Sequence, residues 1–387
     1  MNNTCFTFPS SAPGQAAWAA DPSCRWTFGI ALLCLSTTII CIWSSVHRDI
    51  HLKRLPTMPS LIRDAPLALV ALFAPELMFY FALNQYLCAR NLVKIAKRFE
   101  SRQRHFTLKH GFYATMGGFV LENASGHPRK LTSYGAEQFM DLHFDLVPNL
   151  SLESISDREK STNLGKALLI VQVVWFCLNC ISRLAERLPL TLLEVTTLAH
   201  GLFTLLSYAM WWFKPLNIEE PTRIRNDSIF TGTTSSSVPK FEELLHNWGF
   251  STFKNRFRER FTDLIVTSIV PFIYGFLHFL ALQAQYPNSV ERSLWRIASV
   301  VVMTSGVCAA ATDLIRFDII KINERFAIGR SQRFIASCCY VTLYRIIPFV
   351  YTICSGYLLV ESVRQLWYLP AEAYIVASWS YYIPHWL

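Results

Sequence analysis

The sequence is short of charged residues. Only 16% of its 387 residues are Asp, Glu, Lys or Arg, whereas 52% are hydrophobic and the mean hydropathy is +0.27. A soluble domain carries about 25% charged residues. The deficit is concentrated in windows almost free of charge, and the charged residues cluster between these windows. Because about 20 helical residues cross a hydrocarbon core of roughly 30 Å, the pattern argues against soluble domains and predicts one membrane-embedded unit.

Several signatures of known enzymes are missing from the sequence. It contains no G-x-x-x-x-G-K-[ST] phosphate loop, no G-x-S-x-G turn and no H-E-x-x-H pair, so no motif supports a P-loop nucleotidase, an α/β-hydrolase or a zinc protease. The paired Asp-rich motifs of magnesium-dependent prenyltransferases are missing too. Cys177 and Cys180 form a C-x-x-C, but no His or second Cys pair stands at metal-site spacing. We therefore expect neither a metal nor another cofactor.

The apolar windows predict the fold class. No cleavable signal peptide is expected, because the first 24 residues lack a basic start and an apolar core. Two polar segments, 88–164 and 214–261, lie between apolar windows. The prediction is all-α: a polytopic transmembrane helix bundle that forms one domain over residues 1–387. Seven spans are predicted, with six or eight as alternatives, at about residues 28–46, 65–87, 167–184, 188–212, 264–284, 297–315 and 334–360.

Basic residues predict the orientation. They cluster after the second, fourth and sixth predicted spans, and the net charge is +9. Because Lys and Arg near span ends favour the cytosol, the N-terminus and both polar segments are predicted to be cytosolic, in an endomembrane such as the endoplasmic reticulum or in the plasma membrane. Glycosylation sequons oppose this orientation, but such tripeptides are common by chance and the charge count is preferred; they stand at Asn2, Asn123, Asn149 and Asn226.

The distribution of Lys and Arg also predicts which partners the protein binds. Membrane lipids are the expected partner of juxtamembrane Lys and Arg. Nucleic acid is not expected, because no basic patch is interleaved with exposed aromatic residues in a folded module. A lipophilic small molecule is a further expected partner.

Two predicted spans carry a carboxylate. Glu76 follows Pro75 within LVALFAPELMFYFAL, and Glu194 lies within LPLTLLEVTTLAHGL. A charge at mid-bilayer costs about 2.5–3.5 kcal/mol on insertion scales, so both side chains are expected to face the bundle interior, paired or neutral. Glu76 is either a structural hydrogen-bonding group or an acid, proton relay or ion site, and the sequence leaves these open. If both point inward, the two would form a dyad with one carboxyl protonated. Glu76 and Glu194 are the candidate general acids.

Other residues in or beside the spans have simpler interpretations. His278 is expected to be a packed histidine, and Asp313 and Arg345 either pair across helices or reach the interface. Trp211, Trp212 and Lys214 predict an interfacial anchor. The stretch HGFYATMGGF (110–119) is expected to pack at the membrane surface or to form a lid over a lipid-facing cavity, with a turn or a close backbone approach at its two adjacent glycines.

Five stretches carry a resemblance to a known family. They are CIWSSVHRDI (41–50), LVALFAPEL (69–77), HGFYATMGGFVL (110–121), LIVQVVWFCLNCISRLAERLPLTLLEVTTLAHGL (169–202) and YAMWWFKPLNIEEP (208–221). Over about residues 27–221 the sequence resembles multi-pass integral membrane proteins abundant in filamentous fungi, and it departs from them at VHRDI, where a Pro-containing VHPN-like stretch is usual. Members largely lack an assigned activity, and some are encoded beside secondary-metabolite genes. The resemblance implies a membrane fold and a biosynthetic setting.

Three functions follow as expectations. The first is a membrane enzyme or accessory factor for a lipophilic, terpenoid-like metabolite, acting as a metal-independent, acid-initiated cyclase or isomerase. That chemistry needs a neutral acid in a dry pocket lined by aromatic rings. The second is a transporter or channel-like protein, although no internal repeat is found. The third is a membrane scaffold or sensor whose segments 88–164 and 214–261 bind partners.

Overall fold

The protein is predominantly helical, as the apolar windows predict. The computed structural model describes residues 25–50, 60–99, 106–122, 128–131, 133–143, 152–157, 163–216, 218, 220–225, 257–281, 284, 286–325, 335, 338–339 and 341–377. The sequons lie outside these residues, and so does the side chain of Asp313.

The elements follow one another in three groups. The first group is α1 (Thr27–Ser45), α2 (Ser60–Phe73), α3 (Pro75–Arg98), α4 (Leu108–Thr115), β1 (Phe119–Glu122), β2 (Pro128–Lys130), α5 (Ser133–His143) and α6 (Leu152–Asp157). The second is α7 (Asn163–Ala185), α8 (Leu192–Trp211) and β3 (Thr222–Arg225). The third is α9 (Phe257–Leu280), α10 (Ser289–Arg325), a π-helical turn (Thr342–Ile346), α11 (Ile347–Arg364) and two 3₁₀ turns (Gln365–Tyr368 and Ala371–Tyr374).

Four of these helices are long and apolar enough to cross a membrane, and α2 with α3 makes a fifth if the bent pair is counted as one span. The four apolar stretches are Thr27–Ser45, Gly165–Ala185, Leu192–Trp211 and Ser289–Thr312. The apolar part of α9, Leu264–Leu280, is shorter. The described part of the chain thus supports four or five spans, and the predicted seven are not confirmed.

Two predicted spans have different limits in the structure. The span predicted at 65–87 is two helices, and the chain bends by 113° between them at Ala74, whose backbone leaves the helical conformation at φ −145° and ψ 66°. The cause is Pro75, because proline disfavours the helical conformation in the residue before it and is tolerated at the start of the next helix. The span predicted from residue 188 begins at Leu192, after the N-cap Thr191.

The helices form a bundle with two distinct ends. At one end, which we call the terminal end, the Arg25 N–H donates to the Tyr374 carbonyl at 2.8 Å, and the Arg183 guanidinium donates to the Ile375 carbonyl at 2.6 Å. At the other end, which we call the sheet end, the His47 ring stacks on Trp211 with centroids 4.5 Å apart. Helix α1 runs from the terminal end to the sheet end.

The polar segment 88–164 is not purely helical. The described residues of this segment and of 218–225 pack around a three-stranded sheet of order β2-β1-β3, and we call them the polar body. Strand β1 pairs antiparallel with β2 and parallel with β3. The all-α prediction missed this sheet because its strands are only three or four residues long. The buried core comprises Ile50, Leu92, Ile95, Ala96, Tyr113, Ala114, Met116, Phe119, Leu121, Leu131, Ala136, Phe139, Met140, Ile155, Ile218 and Ile224.

The stretch 110–119 lies inside the polar body. All ten residues are buried, so it neither lies on a membrane surface nor forms an exposed lid, as the sequence had suggested. The predicted turn is confirmed, because Gly117 has φ 84°. The predicted close approach is confirmed as well, since a Cβ on Gly118 would stand 2.4 Å from the Tyr113 carbonyl oxygen.

Candidate functional site

Glu76 lies at the break between α2 and α3. It is the second residue of α3, and its side chain is fully buried. The Tyr351 hydroxyl, on α11, donates a hydrogen bond to its Oε1 atom. The other carboxyl oxygen, Oε2, is also buried and has no hydrogen-bond partner among the described residues. One oxygen of the carboxyl is therefore held in place by α11, and the other is held by none of the described residues.

At the break, backbone carbonyl groups at the end of α2 lose their partners within the helix, and side chains of neighbouring helices bond to them instead. The His200 Nε2 atom lies 2.8 Å from the Leu72 carbonyl oxygen, and its Nδ1 atom lies 2.9 Å from that of Thr196. The Phe73 carbonyl accepts from the Ser355 hydroxyl, and the Tyr351 hydroxyl oxygen lies 3.3 Å from the same carbonyl oxygen. Buried backbone groups in a membrane need such partners. Side chains of α8 and α11 thus fix the position of Glu76.

Aromatic rings and a second histidine surround this position. Tyr274 packs against Phe203 and His278, with ring centroids 5.8 Å and 4.7 Å apart, and His278 lies 5.9 Å from Trp295. Tyr274 also lies 6.0 Å from the ring of His200, the side chain that meets the Leu72 carbonyl at the break. The Nε2 atom of His278 is buried without a partner among the described residues. The site therefore combines an acid with ring faces that suit a cation.

Glu194 lies elsewhere and is fully bonded. Its Oε2 atom accepts from the backbone N–H and hydroxyl of Thr191 at 2.9 Å and 3.1 Å, while the Glu194 N–H donates to the Thr191 hydroxyl, which completes a capping box. Its Oε1 atom forms an ion pair with Arg25. No hydrogen bond or ion pair in the described part of the chain joins Glu194 to Glu76. The structure thus gives Glu194 the contacts of a helix cap and does not bring the two candidate acids together.

The other sequence candidates fall in different places. His278 packs inside the bundle, and its Nδ1 atom lies 3.0 Å from the Tyr274 carbonyl. Arg345 is exposed, and its pairing with Asp313 stays a prediction because the Asp313 side chain is not described. Cys177 and Cys180 are free thiols on α7. Among the described residues, no three His, Cys, Asp or Glu side chains stand close enough to hold a metal ion.

Sequence reasoning missed Tyr351, Ser355 and Tyr274. A usable signal existed for two of them. Tyr351 and Ser355 stand four residues apart in an apolar helix, so both hydroxyls lie on one face. Nothing in the sequence shows that this face meets residues 73–76.

A second buried polar cluster lies at the sheet end. The Lys214 ammonium is buried and donates to the His47 carbonyl at 3.1 Å, to Asp49 at 3.1 Å and to Gln85 at 2.8 Å. Burial lowers the pKa of Lys214, and Asp49 opposes that shift. Burial and the Lys214 ammonium lower the pKa of His47 to about 3. Of the predicted anchor residues only Trp212 is exposed, because Lys214 and Trp211 belong to this cluster.

A small cavity of about 110 Å³ lies at the terminal end. Its lining does not include Glu76. It lies between the loop that precedes α8 and the two 3₁₀ turns, and its polar lining side chains are Thr191, Gln365 and Glu372. Since the Thr191 hydroxyl and Gln365 already bond α8, we assign this cavity no role in the chemistry at Glu76.

The fold and the site define a class: a helical protein whose described part holds four or five helices able to cross a membrane and an acid buried at a helix break. The chain matches the model of a family of unknown function, DUF8562, over residues 4–238 and 245–386. It belongs to that family. No curated protein and no solved structure matches it.

Proposed function

We propose that the chain is an integral membrane enzyme, or an accessory factor of one, that acts on a lipophilic, terpenoid-like metabolite in fungal secondary metabolism. Glu76 is its general acid. The supporting observation is the asymmetry of the carboxyl group, in which Tyr351 holds Oε1 and Oε2 is buried without a partner. A neutral carboxyl that accepts through Oε1 carries its proton on Oε2, which is the atom free to meet a substrate.

The reaction class is an acid-initiated cyclisation or isomerisation. The Oε2–H group donates its proton to the substrate. In an alkene the π electron pair forms the new C–H bond and leaves a carbocation, whereas in an epoxide the ring oxygen takes the proton and the C–O bond breaks, with its electron pair kept by the new hydroxyl and the cation left on carbon. The cation formed is stabilised by the faces of rings such as Tyr274 and Phe203. Loss of a proton from the product cation back to the carboxylate restores the acid, so that no oxidant or co-reactant is consumed.

The membrane location is part of the proposal. It is supported by the four or five apolar helices of sufficient length and by exposed large apolar side chains on α1, α7, α9 and α11. A soluble protein rarely exposes so continuous an apolar surface. An endomembrane or the plasma membrane would supply both the lipid and a lipophilic substrate.

The test is a metabolite profile of the source organism with the gene deleted. The deletion strain is complemented with wild type, with Glu76→Gln, or with Glu153→Gln, a matched change at an exposed glutamate of the polar body. We expect deletion to cause a lipophilic precursor to accumulate. Wild type and Glu153→Gln should restore the product, whereas Glu76→Gln should not, because an amide of the same shape cannot donate the proton.

Insertion of each variant is checked by its retention in carbonate-washed membranes. An unchanged profile after deletion would contradict the biosynthetic proposal. Full restoration by Glu76→Gln would contradict the role of the acid and leave Glu76 as a structural hydrogen-bonding group.

Proton-coupled transport is a second candidate, and the helix break favours it. Discontinuous helices that hold a carboxylate near the middle of the membrane are typical of transporters. The π-helical turn Thr342–Ile346, directly before the helix that carries Tyr351, is a second interruption beside the same site. Purified protein in liposomes would then dissipate an imposed pH gradient, and Glu76→Gln would abolish that flux.

A further inference from the structure

The α2–α3 pair has both of its outer parts at the sheet end. On α2, Asp64 forms an ion pair with Arg48 at 2.9 Å. On α3, the Gln85 amide donates to Asp49 at 3.0 Å and accepts from Lys214 at 2.8 Å. Arg48 and Asp49 directly follow the sheet-end terminus of α1. The chain thus leaves the sheet end along α2 and returns to the sheet end along α3.

The tip of this pair reaches about half of the bundle depth. The Leu72 carbonyl meets His200, which lies eleven residues before Trp211 at the sheet-end terminus of α8, or about 16 Å at 1.5 Å per residue. Pro75 lies ten residues before Gln85 on α3, or about 15 Å. Both lengths are about half of the roughly 30 Å hydrocarbon core. Glu76 therefore lies near mid-depth, where the chain turns back.

Exposed tryptophans mark the two edges of a bilayer-facing surface. Trp26 and Trp43, at opposite ends of α1, are each 62% exposed, and they lie about 26 Å apart along the helix axis. Between them α1 exposes Phe28, Leu32, Leu35 and Ile39. Trp367 (74% exposed) lies at the terminal end with Trp26, and Trp212 (46%) lies at the sheet end with Trp43. Tryptophan favours the headgroup region of a bilayer, so a lipid bilayer is the partner that this surface fits.

The ends of the remaining helices are consistent with these edges. The Lys166 ammonium near the start of α7 lies 3.5 Å from the Trp212 carbonyl at the sheet end. The end of α7 is at the terminal end, where Arg183 bonds to residues 373 and 375. The start of α10 and the end of α11 meet at the terminal end through Glu291 and Arg364, which lie 2.6 Å apart. The two ends of α1, of α7 and of α8 thus lie at opposite edges, and α10 begins and α11 ends at the terminal end.

Basic residues divide unequally between the two edges. Among the described residues, six Lys or Arg residues lie at or near the terminal end: Arg25, Arg183, Arg187, Arg292, Arg296 and Arg364. Twelve lie at the sheet end or in the polar body: Arg48, Arg90, Lys94, Lys97, Arg98, Lys109, Arg129, Lys130, Lys166, Lys214, Arg223 and Arg225. Because Lys and Arg accumulate on the cytosolic side, the sheet end is the cytosolic end.

We propose that α2 and α3 form a re-entrant hairpin that enters and leaves the bilayer from the cytosolic side, so that the N-terminus lies across the membrane from the polar body. This inference rests on the membrane location in the proposed function. It reverses the predicted cytosolic N-terminus, which followed from counting residues 65–87 as a crossing. It keeps both polar segments in the cytosol, and it makes Glu76 a mid-membrane group carried by an element anchored on the cytosolic side.

The test is protease protection in sealed microsomes whose cytosolic face is outward. Full-length protein carries one epitope tag at a time, before Met1, within 51–59 or within the Ser/Thr-rich stretch 231–238. We expect the tags in 51–59 and 231–238 to be digested and the tag before Met1 to be protected until detergent is added. A crossing helix at 65–87 would instead leave 51–59 protected and expose the other two tags.

The outcomes separate this inference from the proposed function. Protection of 51–59, or exposure of all three tags, overturns the hairpin whatever the metabolite profile shows. Release of the protein by carbonate overturns the membrane location and the hairpin together. The expected tag pattern combined with an unchanged metabolite profile would retain the hairpin and reject the enzyme.

Discussion

At the scale of single residues, Tyr351 is the clearest support of the candidate acid. We expect Tyr351→Phe to destabilise the protein by about 1–3 kcal/mol, because it leaves Glu76 Oε1 buried without a donor. The measurement is thermal unfolding in detergent micelles. Tyr368→Phe, at an exposed position, is the matched control and should leave the melting temperature unchanged. Equal melting temperatures for both variants would show that the hydrogen bond contributes nothing.

His47 predicts a dependence of stability on pH. Its pKa is lowered to about 3 in the folded protein, against about 6.5 in an unfolded chain. Between these two pH values the unfolded state binds more protons than the folded state. The contribution of His47 to the free energy of unfolding is therefore fully present above pH 6.5 and is lost as the pH falls towards 3. From pH 7 to pH 5 the loss should be about 2 kcal/mol.

The variant His47→Phe keeps a ring that can stack on Trp211 but cannot be protonated. We expect it to remove that part of the acid sensitivity, as measured by melting temperatures at pH 7 and pH 5. The difference between variant and wild type isolates His47 from the carboxylates that titrate in the same range. Parallel pH profiles would contradict the assignment.

The site could be predicted from sequence only in part. Glu76 was identified because a carboxylate in an apolar run is costly anywhere but in the interior of a bundle. Its partner Tyr351 lies 275 residues further along the chain, and a long-range contact of this kind has no local signal. For Glu194, by contrast, the local sequence does carry a signal of its role. Thr191 and Glu194 are the first and fourth residues of a capping-box pattern, which indicates a helix start rather than a mid-span acid.

At the scale of elements, α9 and α10 are held together by a close backbone approach. A Cβ on Gly306 would stand 2.2 Å from the Thr267 carbonyl oxygen. Small residues permit such contacts between membrane helices. We expect Gly306→Ala to cost about 1–3 kcal/mol by forcing the helices apart. Gly356→Ala is the control, since its Cβ would meet only Phe73 at 3.5 Å.

Thermal unfolding of the two glycine variants measures the effect. A melting temperature for Gly306→Ala that matches Gly356→Ala would mean that the two helices can separate without cost. Both variants carry the same change in helix propensity, so their difference reports packing alone.

Element types were easier to predict than element roles. The apolar windows located α1, α7 and α8 to within a few residues, because bilayer spans need long runs. Pro75 was visible in the window 65–87, but a proline break is compatible with a kinked crossing as well as with a hairpin. The choice depends on contacts such as Arg48 with Asp64, which no hydropathy pattern contains.

At the scale of the whole molecule, the membrane location proposed above, taken with the spacing of the exposed tryptophans, predicts a preferred bilayer thickness. Trp26 and Trp43 lie about 26 Å apart along α1, a distance close to the hydrocarbon thickness of the thinner biological membranes. We expect the melting temperature in lipid nanodiscs to peak at the acyl-chain length that matches this distance and to fall in thicker bilayers. A melting temperature that rises steadily with chain length would contradict the match. Trp43→Ala should flatten the optimum.

The parallel pairing of β1 with β3 has a consequence for synthesis on the ribosome. These strands, Phe119–Glu122 and Thr222–Arg225, lie about a hundred residues apart in sequence, with α7 and α8 between them. The sheet can be completed only after both of those helices have been made and the chain has come back to the polar body. Completion of the sheet therefore depends on the α7–α8 pair, and a chain in which this pair is misplaced leaves one edge of β1 unpaired.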